Sequence, residues 1–335
     1  MELLRVVSML MVLAVHIDGA SLGLPRLGGN LGAMTARDAW QLVTEALAIV
    51  GVNCFTLISG YFGIRLRLRG VVSYLFECVF YAVGIYTAVT IAYPSLFSWK
   101  GWGESWMVLT HTDLWYVPAY FGLMLLSPVL NGGFDAMSRR MAGVVIGAFA
   151  LYNVWAGWWW GGSFNPTGYT LVQLVLMYLV GRYVGVHVPR DLMRGRRGVM
   201  LFGGCYVLLS LLIALHACRN PGMAYAYNSP LVILSSVALL MMFSRMEFTS
   251  RTINLMARSA FAVYLVHKAP LIWGNLMCPA VRWMWAAMPL WLFTLSAIGL
   301  MAAIYGVCMC ADWVRRSTAL SFKTKIETYF PLPDS

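Results

Sequence analysis

Apolar residues fill this chain in runs of about the length that crosses a bilayer, which needs roughly 20 residues of helix. Ten such runs are readable, over 3–23, 42–64, 71–93, 114–131, 141–161, 168–186, 199–217, 229–244, 259–277 and 288–312. Helix breakers part them: Pro94 after the third, Ser127-Pro128 and Asn131-Gly132-Gly133 at the end of the fourth, Asn165-Pro166 before the sixth. The pattern predicts an all-α polytopic membrane protein, a bundle of about ten transmembrane helices. They form a single transmembrane domain over 1–312, with a short basic tail at 313–335. The first run starts at residue 3 with no charged lead of normal length, so it reads as a retained helix and not as a cleaved signal peptide.

Composition narrows the class. Hydrophobic residues make up 60% and charged residues 11%, against roughly a quarter charged in ordinary globular domains. Soluble multidomain and disordered chains are both excluded. The net charge of +11 would suggest nucleic acid in a soluble protein, but here the cations serve topology. With the N-terminus inside, the inner segments hold 18 Lys and Arg and the outer ones 5, and Lys268 lies within a span. That bias places both termini in the cytoplasm and the chain in the cell's plasma membrane; no nucleic-acid partner is expected. The first loop pair, Arg5 against Arg26 and Arg37, is the exception. Trp155, Trp158, Trp159 and Trp160 fall at an outer helix end, where they read as an interfacial anchor. The seven cysteines lack metal-site spacing, and no metal is expected; a bridge between Cys218 and Cys278 is left open.

Ionisable residues inside spans are costly and point to function. Arg5 and His16 are eleven residues apart, three helical turns plus about 20°, so they leave one face of a helix about 16 Å apart along its axis. Ser8, Met9 and Val12 lie between them and Asp18 points roughly the other way. A guanidinium at the inner surface can hold a phosphate or carbonyl, and an imidazole deeper in can serve as general base. Arg5 snorkelling to lipid headgroups, with His16 in an interhelical hydrogen bond, accounts for the spacing equally well.

Four stretches in order resemble the acyltransferase-3 family of integral membrane acyltransferases. Arg5 to His16 is similar to its Arg-x10-His signature, with a shorter lead-in. Cys54-Phe-Thr-Leu-Ile-Ser59-Gly60-Tyr61-Phe62 resembles its Ser-Gly-Tyr/Phe-Phe segment. Leu114-Trp115-Tyr116 with Ser127-Pro128-Val-Leu-Asn131 resembles its Leu-Trp-Phe/Tyr…Leu-Pro-x-Leu-Asn segment, and Val263-Tyr264-Leu265-Val266-His267 its Ile-Tyr-Leu-Ile-His. The resemblance implies transfer of an acyl group, by default acetyl, from cytoplasmic acyl-CoA to a hydroxyl of a bacterial surface or exported glycan such as an exopolysaccharide. No permanently bound cofactor is implied; acetyl-CoA is the donor substrate. The family's Arg-x-x-Arg is replaced by Arg65-Leu-Arg67-Leu-Arg69, which takes the expected CoA-phosphate position.

On that basis His16 is the expected base, Arg5 its partner at the inner mouth, and Arg65, Arg67 and Arg69 the CoA-binding cations. Ser59, Trp115, Tyr116, His267, Glu77 and Lys268 are cavity or acceptor candidates, and His111 is an outer-loop residue that could meet the acceptor. Glu77 and Lys268 stand at similar depth and are expected to pair. The competing class is a glycan or lipid-linked-intermediate transporter, which would show paired interrupted helices in two related halves; none is evident. Homo-oligomerisation is left open.

Overall fold

The computed structural model describes residues 1–110, 114–189, 193 and 195–329, with side chains as far as 317. Every regular element among them is helical. Helix α1 (Glu2–Val15) runs into a π-helical segment, His16–Ala20. Then come α2 (Ala36–Ala48), α3 (Gly51–Phe62), α4 (Leu68–Ala92), α5 (Trp99–Trp106), α6 (Tyr116–Asp135) and α7 (Arg139–Tyr152). The second half holds α8 (Leu171–His187), α9 (Arg196–Ala217), α10 (Pro221–Ala224), α11 (Pro230–Ser244), α12 (Arg251–Arg258) and α13 (Ala260–His267). The chain ends in α14 (Pro270–Ile272), α15 (Cys278–Ala287) and α16 (Leu290–Tyr329).

Seven stretches among the described residues are long and apolar enough to cross a membrane, beginning with Glu2–Ala20 and Ala36–Phe62 and ending with Leu290–Ser317. Leu171–His187 and Pro230–Ser244 are apolar but shorter. The ninth expected run, 259–277, is not one helix. It stops after His267, passes through Lys268 and an extended Ala269, and restarts at Pro270. Proline supplies no N–H and disfavours α geometry in the residue before it, which is the physical reason for the break. No break occurs at 312, since α16 continues to Tyr329.

Helix α1 is the centre of the bundle, touching α2, α3, α12 and α13. It divides its apolar surface between two cores. Leu4 packs with α3, α8, α9 and α11, whereas Val6, Met9, Val12 and Leu13 pack with α4, α13 and α16. In hydrocarbon, close helix approach depends on small residues, and the α3–α8 seam is built on them. A Cβ on Gly60 would sit 2.0 Å from the Tyr178 carbonyl oxygen, and one on Gly181 2.2 Å from that of Leu57. Thus in the Ser59-Gly60 pair the glycine docks α8 while the serine faces away from that seam.

Overpacking typically costs about 1–3 kcal/mol, and here the obstacle is backbone. Gly181→Leu is therefore expected to lower the thermal midpoint of the detergent-solubilised protein clearly. Gly147→Leu, on α7 with nothing within 4 Å, should leave it nearly unchanged; equal midpoints for the two variants would contradict this packing.

Candidate active site

A cavity of about 790 Å³ runs along α1, lined at successive levels by Arg5, Met9, Val12, His16 and Gly19. The α1 face expected to carry Arg5 and His16 thus faces a continuous hollow. Ser8, expected on the same stripe, is instead buried outside the lining, and Asp18 turns away to accept a hydrogen bond from Gln41 Nε2 at 2.9 Å.

At one end Arg5 lines the cavity together with Arg258, from the last turn of α12. Arg5 Nη1 donates to both Glu2 carboxylate oxygens, at 2.7 and 3.0 Å, and its Cζ stands 6.0 Å from the Phe62 ring. Ser59 also lines this half, its hydroxyl 3.0 Å from the Tyr120 hydroxyl. Arg65, Arg67 and Arg69 are exposed in the 63–67 link and the first turn of α4, outside the cavity lining. They lie in sequence between Phe62, whose ring stands by Arg5, and Tyr74, a lining residue.

In the middle, His16 Nδ1 lies 2.8 Å from His267 Nε2, and His267 Nδ1 lies 2.5 Å from the Val263 carbonyl oxygen. His267 is 1% exposed and sits behind His16, not in the lining. The π-helical turn at His16–Ala20 re-aims the end of α1, and such turns recur at functional sites. Trp273, in another π-helical turn (Trp273–Met277), meets His16 edge to face with ring centres 5.5 Å apart. Lys268, which also lines the cavity, has its ammonium 4.0 Å from the Trp273 ring centre. The helix break after His267 lies at the cavity wall, where irregular backbone at membrane depth is tolerated.

The other end is aromatic. Trp115 packs against Tyr169 at 4.9 Å and Tyr227 at 5.8 Å, and its neighbour Tyr116 stacks at 5.5 Å on Tyr120, which leads back toward the Arg5 half. Tyr227 is held by a buried amide network: its carbonyl accepts from Asn53 Nδ2 at 3.0 Å and Gln173 Nε2 at 2.8 Å. Asn153 bonds Gln173 at 2.9 Å, and Asn165 bonds Asn153 at 2.7 Å. Glu45 lines this end too, accepting from the Gly19 N–H at 3.3 Å.

Glu77 is not a cavity residue and does not pair with Lys268. Its carboxylate stands 3.4 Å from Arg315 Nη2, beside Asp312, which binds both Arg315 and Arg316. α16 carries these arginines past residue 312 and brings Arg315 to the Glu77 level, so the depth match with Lys268 loses to a guanidinium. Cys218 and Cys278 are both free, with their sulfurs directed at the carbonyls of Ala214 and Ser21. His111, Arg190 and Arg194 lie outside the described residues.

Arg258 and Glu45 escaped the sequence reading. Arg258 closes α12, a short amphipathic helix, and its approach to the α1 cavity is a tertiary contact with no mark in the local sequence. Glu45 was legible, being an acid three residues into an apolar run.

The chain matches the family model described as an acyltransferase domain, that of the acyltransferase-3 family, over residues 1–313. Comparison with curated proteins and with solved structures finds no match.

Since Glu77 belongs to a buried ion cluster, Glu77→Ala should lower stability by about 1–3 kcal/mol, the cost of a charged group losing a partner. Thermal melts of the detergent-solubilised protein check this, and an unchanged midpoint would contradict the assignment.

Proposed function

The chain belongs to the acyltransferase-3 family of membrane acyltransferases, and from that premise we propose that it moves a short acyl group, acetyl by default, from acyl-CoA to a hydroxyl of a surface or exported glycan. The observation that carries this is the single cavity that joins a cationic mouth at Arg5 and Arg258, through His16, to an aromatic end at Trp115, Tyr169 and Tyr227. Two substrates arriving from opposite ends would meet at the imidazole.

At the cationic end, Arg5 and Arg258 meet the CoA phosphates, with Arg65, Arg67 and Arg69 drawing the anion in. Guanidiniums suit phosphate because they donate in a planar fork. The pantetheine arm lies along Met9 and Val12, whose apolar walls compete less for a thioester than polar ones would, and the rise from Arg5 to His16 is about 16 Å. At the aromatic end, Trp115 and Tyr116 offer flat faces to a sugar ring, and Glu45 accepts a hydroxyl proton in a hydrogen bond. With the mouth at Arg5 facing the cytoplasm, the acceptor reaches the cavity from the far side of the membrane.

The step balances without further reactants. A nitrogen of His16 takes the acceptor hydroxyl proton as the oxygen attacks the thioester carbon. The C–S bond then breaks, the imidazolium returns the proton to the departing thiolate, and an ester and free CoA thiol result. Holding both reactants in one cavity removes most of the entropic barrier of a bimolecular reaction.

His16→Ala should cut acyl transfer by about 10²- to 10⁴-fold, the range of general-base contributions, with acetyl-CoA binding retained. Arg5→Ala and Arg258→Ala should each weaken acetyl-CoA binding by about tenfold or more, as expected for a lost charged hydrogen bond. Transfer is read by mass spectrometry of surface glycans from cells carrying each variant in place of the natural chain, and binding by calorimetry. Near-normal acylation with His16→Ala would overturn the mechanism.

A further inference from the structure

We propose that His267 is a positioning residue that fixes the tautomer of His16, so that the nitrogen left without a proton is the one presented to the cavity. The proposal rests on His16 acting as the base.

The assignment follows from what each atom can do. The Val263 carbonyl oxygen can only accept, so at 2.5 Å the hydrogen must be on His267 Nδ1. A neutral imidazole with Nδ1–H has a bare Nε2, and that atom accepts at 2.8 Å from His16 Nδ1. His16 Nδ1 is then the donor, and His16 Nε2 carries the lone pair. A backbone oxygen one helical turn before His267 therefore decides, through two rings, where the proton of His16 resides. The tautomer of a histidine is set in general by the hydrogen bond made at its other nitrogen.

The ladder works only while His267 is uncharged, since an imidazolium there would donate to His16 and put the proton on Nε2. The surroundings hold it neutral. His267 is 1% exposed, no carboxylate oxygen among the described residues pairs within 4 Å with a nitrogen of either ring, and the next residue is the cation Lys268, directed at the Trp273 ring. The accepting carbonyl is not borrowed from elsewhere. Val263 and His267 are an i, i+4 pair on α13, and the helix stops directly after His267 at Lys268 and Pro270. The last full turn of α13 thus supplies the acceptor from the same helix that carries the ring.

The test uses the full chain in lipid nanodiscs, labelled with ¹⁵N-histidine, with the His16 resonances assigned by their loss in His16→Ala. In the wild type, His16 should be protonated at Nδ1 and bare at Nε2, the less common tautomer of a free histidine side chain. In His267→Ala it should return to the Nε2–H form. His267→Gln, whose amide oxygen can accept from Nδ1–H, should keep the wild-type signature. Glycan acylation should fall about 10²- to 10⁴-fold with His267→Ala and recover in part with His267→Gln, at unchanged acetyl-CoA affinity. An Nε2-protonated His16 in the wild type overturns the inference even if both variants misfold, and so does an unchanged His16 signature in His267→Ala. If His16→Ala itself still acylates, the base assignment has failed. If His16→Ala is inactive while His267→Ala acylates normally, only the role of His267 has failed.

Discussion

A helical carbonyl, two imidazoles and a cavity stand in line in this protein, and the candidate chemistry depends on that line. Val263 O, His267 and His16 are joined at 2.5 and 2.8 Å within a bundle of apolar helices. In water such contacts are worth little, because solvent replaces them. In a low-dielectric interior they direct protons, and a misplaced one is costly. The central position of α1 fits this demand. One of its faces carries the cavity, and the others are clamped by α2, α3, α12 and α13, so the imidazole is presented by a helix held on several sides.

Several departures from regular helix converge on the cavity. The π-helical turns at His16–Ala20 and Trp273–Met277 bring His16 and Trp273 to 5.5 Å, and the break at Lys268–Ala269 lies beside them. Irregular backbone in hydrocarbon leaves polar groups exposed unless a cavity or other protein covers them. The buried amide network of Asn53, Asn153, Asn165 and Gln173 holds the Tyr227 loop over the far end. The aromatic end is thus tied to the bundle by hydrogen bonds as well as by packing.

Much of this was legible in the residues, for reasons that can be stated. The co-facial Arg5 and His16 follow from helical geometry alone, because α1 has no glycine or proline before Gly19 to disturb the phase. Among the described residues seven stretches long enough to span follow from the apolar runs, while Leu171–His187 and Pro230–Ser244 are apolar but shorter and Pro270 breaks the ninth run; that proline is visible in the sequence, but a hydropathy window averages across it. The Glu77–Lys268 expectation failed because depth along two helices says nothing about which faces turn together, and Arg315 on α16 reaches Glu77 first. The direct link from His16 to His267, 251 residues apart, is tertiary and has no local signature. Arg258 at the mouth is hidden for the same reason.

The roles of these groups meet in one claim: a CoA thioester lies along α1 with its phosphates at Arg5 and its acyl carbon at His16. The most direct measurement is an electron cryomicroscopy structure of the full chain in nanodiscs with a non-hydrolysable acetyl-CoA thioether analogue. The account predicts phosphate density beside Arg5 and Arg258 and the acyl end against the imidazole of His16. Analogue density bound outside this cavity, or within it with the acyl end turned away from His16, would contradict it.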